Sequence, residues 1–147
     1  MKLQSIKHTL SFTVLVACLF LIACGNDDPT EATPAEQVSA LLVASEWRMQ
    51  SVQVDGIDKS DVYSGLTLQF TANGFTSAAG QAIWPASGTW NFTDDAATKF
   101  KRDDGLEITI SSITATQLDL ELSWTETTLG SGRVSSVGGK HRFVFIK

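Results

Sequence analysis

Leu118-Asp119-Leu120-Glu121-Leu122-Ser123-Trp124 carries a large apolar side chain at every second position and a polar one between. A period of two puts the four apolar side chains on one face of an extended strand and the polar ones on the other. A helix would scatter the same residues around its axis. The segment therefore predicts a half-buried strand, and the same pattern recurs on either side of it. Leu106, Ile108 and Ile110 precede it, and Phe143 and Phe145 follow it in a last strand from His141 to Ile146. Further upstream, Leu66, Leu68 and Phe70 alternate with Thr67 and Gln69, and Gly88, Trp90 and Phe92 alternate with Thr89 and Asn91. Phe75 opens a strand after Asn73-Gly74, a strong hairpin signal. Phe100 marks a short strand before the turn Asp103-Asp104-Gly105.

The earliest strand shows a phase change. Trp47 and Met49 alternate with Arg48 and Gln50, but the apolar positions then move to Val52 and Val54, which predicts a β-bulge near Ser51. The total is about eight short strands, mostly joined by tight turns, with no helix between them. Such spacing points to an antiparallel sandwich or an up-and-down barrel. A parallel sheet is excluded, because its crossovers need a dozen or more residues each. In the last strand Val144 and Ile146 are as apolar as Phe143 and Phe145, so both of its faces are expected to be covered.

One helix is expected, ahead of the strands. Thr33-Pro34-Ala35-Glu36 combines a capping residue, a proline at the first helical position and an acid three residues after the cap. Val38, Leu41 and Leu42 follow at helical spacing, up to about Ser45. Three turns do not persist in isolation, so this helix must dock. The outer face of the last strand is the expected place.

The N-terminus carries an address. Lys2 and Lys7 precede an apolar run from Thr9 to Ala23, which is short of the roughly 20 residues a membrane span needs. The run ends in Leu21-Ile22-Ala23-Cys24-Gly25, which resembles the lipobox of bacterial lipoproteins. The resemblance implies cleavage of residues 1–23 and acylation of Cys24, and therefore a membrane partner reached through acyl chains. Several such chains anchor stably where one holds marginally. Many Gram-negative lipoproteins kept in the inner membrane have Asp directly after the cysteine. Gly25 stands here instead, which implies an outer-membrane destination. Asn26-Asp27-Asp28 resembles the acidic signal of surface-displayed lipoproteins and also suits a plain solvated linker. Residues 25–33 contain no large apolar side chain, and extended they reach about 30 Å. The expected organisation is a signal peptide over 1–23, acylated Cys24 and tether over 24–33, and one domain over 34–147.

After cleavage, nine basic residues face sixteen acidic ones, a formal charge of −7. That acidity argues against nucleic acid as a partner. Cys18 leaves with the signal and Cys24 is consumed by acylation, so no pair remains for a disulfide and stability must come from core burial.

The domain from about Leu41 resembles the lipocalin-like domains of small bacterial lipoproteins. The residues that carry the resemblance are Ser45-Glu46-Trp47-Arg48-Met49, Leu66-Thr67-Leu68-Gln69-Phe70 with Asn73-Gly74, Ser87-Gly88-Thr89-Trp90-Asn91-Phe92, and Ile113-Thr114-Ala115-Thr116-Gln117-Leu118-Asp119-Leu120. Family members usually carry Gly two residues before the first-strand tryptophan, where this chain has Ser45. The resemblance implies an all-β fold, an antiparallel eight-stranded up-and-down lipocalin-like barrel with one short N-terminal helix, and a ligand cavity at its open end.

Candidate ligand-binding residues are Trp47, Trp84, Trp90, Trp124 and Arg133. An eight-stranded barrel is just wide enough to be filled by side chains or to hold one small apolar ligand. The inward set is bulky and favours filling. Trp84 stands apart, because Trp84-Pro85 lies between strands, where an aromatic is more available for binding. Residues 125–139 are rich in Gly and Ser and read either as a lid, with Arg133 as its anion contact, or as an extended hairpin tip.

No catalytic or metal signature emerges. His141 is the last histidine after processing and has no sequence partner for nucleophilic or metal chemistry. Asp55, Asp58 and Asp61 lack the alternate-residue oxygens of a calcium loop. Nothing implies a cofactor. The expectation is a non-catalytic lipoprotein that binds a small apolar or amphipathic ligand or, if the barrel is filled, serves another envelope protein as an interaction or accessory subunit.

Overall fold

Alternating segments become strands close to where their period marks them. The structure, a computed structural model, describes residues 31–125, 128–130 and 133–147. The expected signal peptide, Cys24 and the tether up to residue 30 lie outside the described residues. Helix α1 spans Pro34–Val43. Strands β1 (Glu46–Val54), β2 (Ile57–Asp58), β3 (Thr67–Phe70), β4 (Gly74–Ala78), β5 (Ser87–Phe92) and β6 (Lys99–Arg102) follow. Then come β7 (Glu107–Ile113), β8 (Gln117–Trp124), β9 (Thr128–Gly130), β10 (Arg133–Ser136) and β11 (Gly139–Ile146).

Eight of these strands form a closed barrel. Each of β1, β3, β4, β5, β6, β7, β8 and β11 pairs antiparallel with the next, and β11 pairs back onto β1. Closure leaves the barrel no free edge. Strand β2 is a short arm on the end of β1, and β9 with β10 makes a separate two-stranded ribbon within the long segment before β11. The register of β1 against β11 slips between Met49 and Ser51, which is the bulge the phase change marks.

Helix α1 forms for the reasons its first four residues give. The Thr33 side chain accepts from the Glu36 amide, and the Glu36 carboxylate accepts from the Thr33 amide at 2.7 Å. These bonds hold the Glu36 carboxyl below its ordinary pKa. The helix does not cover the last strand. It packs on β3 and β7, which are not neighbours, and so crosses one end of the barrel with Leu42 fully buried and Val38 against the core. The outer face of β11 stays open, with Ile146 38 % exposed. A stripe of three apolar residues on three turns is too small to coat a strand and large enough to close a barrel end.

The hairpin of β3 and β4 also differs in detail. Phe70 pairs with Phe75, so the turn is Thr71 to Gly74 and not a two-residue Asn73-Gly74 turn. The Thr71 hydroxyl accepts from the Gly74 amide at 3.1 Å, and a Cβ on Gly74 would sit 3.1 Å from the Gly88 carbonyl oxygen.

Inside, the inward faces meet with little room left over. Trp47, Leu68, Phe100, Ile108, Leu118, Leu120, Phe143 and Phe145 have no exposed surface, and Phe70 has 2 %. Phe70 contacts Trp90 and Phe100 edge-on, at 6.0 and 5.9 Å between centroids. Along β11 the rings of His141, Phe143 and Phe145 stack in series at 5.6 and 6.0 Å. Each large apolar side chain so buried contributes roughly 1.5–3 kcal/mol.

Candidate functional site

The end opposite α1 is the barrel mouth, ringed by residues 55–66, 79–86, 103–106 and the segment after β8. Its stopper is the connection between β4 and β5. Pro85 has no amide to offer a ladder, so β5 starts only at Ser87 and the residues before it are free to fold inward. Ser77 Oγ lies 2.9 Å from the carbonyl oxygens of Trp84 and Pro85, and the Trp84 amide donates to Gly80 at 2.9 Å. Only glycine fits at position 80, because a Cβ there would overlap the Trp84 carbonyl. Ala79 and Gln81 both stand in the left-handed region, at φ +52° and +57°. Each such non-glycine residue costs on the order of 1–3 kcal/mol.

This loop drives Ile83 and Trp84 into the mouth, where they are 0 % and 1 % exposed. The Trp84 indole meets Phe75 and Phe143 edge-on at 5.9 and 6.0 Å. Arg102 closes the remaining side, its guanidinium carbon 5.3 Å from the Trp84 ring and 5.5 Å from Phe75. The Arg102 side chain is wholly buried. Its Nη1 donates to the Ile83 carbonyl at 2.6 Å, and its Nε and Nη2 both reach the Asp104 carboxylate. The bond from Arg102 holds the Asp104 carboxyl below its ordinary pKa. One group in this cluster is unsatisfied: Trp84 Nε1 is buried and has no hydrogen-bond partner. An unpaired buried donor costs about 1–3 kcal/mol.

A second polar pair lies beside it. Tyr63 Oη and His141 Nε2 are 2.9 Å apart, and both residues are fully buried. His141 Nδ1 lies 3.1 Å from the Gly139 carbonyl, which can only accept, so Nδ1 carries the proton and Nε2 accepts from the tyrosine. The Val137 amide donates to the same Tyr63 oxygen at 3.4 Å. Burial pushes the histidine pKa down and the tyrosine pKa up. The pair is a neutral, saturated strut. Its hydroxyl proton and its imidazole lone pair are both committed to each other.

The four candidate tryptophans do not converge on one pocket. Trp47 lies at the helix end, donating from Nε1 to the Leu42 carbonyl at 2.9 Å, with Lys147 Nζ 4.9 Å from its ring centroid. Trp90 packs among Phe70, Phe92 and Phe100 and donates to the Gly74 carbonyl at 3.0 Å. Trp124 is half-buried at the mouth and donates to Ser136 Oγ at 3.2 Å. Trp47 and Trp90 are core. Trp84 is the one that sits in a loop and fills the mouth. Arg133 begins β10, and its side chain lies outside the described residues. The segment from residue 125 to 139 contains the β9–β10 ribbon. Arg102 and Tyr63 are missing from the candidates. Arg102 was legible, because Phe100 faces inward and the period of two puts Arg102 on the same face.

At the helix end two shallow clefts flank α1, of about 440 and 530 Å³, both lined by Ala35 and Phe92. Asn73 and Trp90 also line the first, and Pro34, Asp94 and Asp95 the second. Among the described residues no group of three or more His, Cys, Asp or Glu side chains is placed to hold a metal. No helix among them is long and apolar enough to cross a membrane. A scan against protein-family models gives no match, and searches of curated proteins and of solved structures give none either.

Proposed function

We propose that this chain is a lipoprotein of the outer membrane, anchored through acyl chains on Cys24, whose lipocalin-like barrel works without catalysis as an interaction or accessory module for another envelope protein. The observation that carries the reading is the filled barrel. Both ends are stoppered, by Leu42 of α1 and by Ile83 and Trp84 of the mouth loop, and the space between holds fully buried aromatic and aliphatic side chains. A barrel filled in this way leaves its outer surface for recognition.

The discriminating experiment is native mass spectrometry of the chain after incubation with an envelope extract of its host. A bare mass together with a folded β spectrum supports the reading. A retained mass of a few hundred daltons overturns it in favour of a ligand. The anchor is tested separately: the chain takes up radiolabelled palmitate in its host and Cys24→Ala does not, and an unlabelled parent removes the lipoprotein reading. Protease added to intact cells tests surface display.

A second reading, binding of a small apolar or amphipathic molecule at the mouth, is favoured by one observation. Trp84 fills the mouth with an indole N–H that nothing there accepts.

A further inference from the structure

We infer that the loop of residues 79–86 is a displaceable stopper, and that the chamber its Trp84 indole fills is a binding site for a flat aromatic carboxylate; the inference rests on the ligand reading just given. Phe75 and Phe143, edge-on to the indole, and the guanidinium of Arg102 line the chamber. All three recognise a ring. None of them accepts a proton, so the indole suits the chamber by shape and fails it at Nε1. A ring without a donor at that position is the better occupant.

Arg102 defines the rest of the ligand. The loop gives this buried cation two things at once, the Trp84 ring and the Ile83 carbonyl on Nη1 at 2.6 Å. When the loop leaves, both leave together, while Asp104 stays on Nε and Nη2. An incoming molecule must therefore replace a ring and an oxygen acceptor in one body. The Ile83 carbonyl brings charge on the donor side only, whereas a carboxylate on the guanidinium brings charge on both sides and is the stronger acceptor. An aromatic acid thus competes with the protein's own loop for Arg102.

The loop itself is set to yield. Its base is made of small residues, Ala78, Ala79 and Gly80 on one side and Ala86, Ser87 and Gly88 on the other. Ala79 and Gln81 hold left-handed backbone in the seated loop, and release would leave both free to relax. Displacement of Trp84 also returns its indole N–H to water. The helix end, by contrast, seats Trp47 with its Nε1 paired, and that indole has no such reason to move.

The test uses the full chain, purified from host membranes in lipid nanodiscs and labelled with 5-fluorotryptophan, with 1-naphthoate, a bicyclic acid without a ring donor, as the probe. Single Trp→Phe variants assign the four fluorine resonances. The expected result is that the Trp84 resonance moves to a solvent-exposed position at saturating probe, while the Trp47 resonance stays. Naphthalene, the same ring without the carboxylate, should bind about tenfold or more weakly. The double change Ala79→Gly with Gln81→Gly relaxes the seated loop, and it should weaken the probe about tenfold. Trp84→Ala empties the chamber and should tighten it by a similar factor. If Trp84→Ala does not fold, the double glycine variant carries the test, because it relieves strain instead of adding a void. A Trp84 resonance that never moves overturns the inference, whether the probe fails to bind or binds elsewhere. A retained mass from the envelope extract would then still leave the broader ligand reading standing, so the two fail separately.

Discussion

The two ends of this barrel are closed by different physics. At the helix end, α1 lies across the strands with Leu42 buried and the Trp47 indole paired to the carbonyl of that same leucine. At the mouth, a loop with two left-handed non-glycine residues inserts a tryptophan that lacks a hydrogen-bond partner, beside a buried arginine and a buried tyrosine–histidine pair. The first closure pairs its indole locally and leaves the Ser45 hydroxyl next to β1 buried without a hydrogen-bond partner. The second sets a buried arginine against a loop with two strained residues. The other buried charge among the described residues, Asp119 of β8, is paired to Arg142, and the helix end has one left-handed non-glycine residue, Ala97. An unpaired indole, a buried guanidinium and two strained residues meet at one loop; such combinations mark places where a protein has something to do besides fold, and this one makes the mouth the candidate site.

The comparison can be broken first at the helix end. Leu42→Ala should cost about 2–5 kcal/mol, read as a fall in the denaturation midpoint, because a fully buried leucine leaves a hole under α1. A loss under about 1 kcal/mol would mean that the helix is an appendage and not a stopper. The two indoles then sharpen the contrast. Trp47→Phe deprives a buried carbonyl of its donor, and Trp84→Phe removes a donor that had no acceptor. The first should therefore cost about 1–3 kcal/mol more than the second. Equal losses would show that Trp84 Nε1 is satisfied in solution.

The mouth alone should respond to mild acid. Burial depresses the His141 pKa, so the unfolded chain binds the proton more readily than the folded one. Stability is then complete above the unfolded value of about 6.5 and falls as the pH drops below it, by at most about 1.4 kcal/mol per pH unit until the folded-state pKa is reached. Carboxylates with lowered values, Asp104 among them, add their own losses only below about pH 4.5. Denaturant midpoints between pH 7 and 5 should slope in the parent and flatten in His141→Gln. An unchanged slope in the variant would place the titrating group elsewhere. The smallest effect returns to the helix end, where Thr33→Ala removes the cap and should cost about 1 kcal/mol.

Much of the barrel was legible because burial on one face writes itself as a period of two. Leu118 to Trp124 announced β8, and the shift from Met49 to Val52 announced the bulge in β1. The capping box over Thr33 to Glu36 was equally local. The docking place of α1 was not, because an apolar stripe states that it must be buried and is silent on which surface receives it. The same limit hid the candidate site. Nothing near position 84 in the sequence says that its indole meets Phe75, Phe143 and Arg102.

The sequence by itself determined the strands, their antiparallel order, the helix cap and the bulk of the inward-facing set, since each follows from side chains a few residues apart. Only the tertiary structure decided that β11 closes on β1, that α1 crosses the barrel end, that Tyr63 bonds His141 across 78 positions, and that Arg102 holds the loop carrying Trp84. Those contacts join residues far apart along the chain, and a local pattern carries no information about which distant partner completes it.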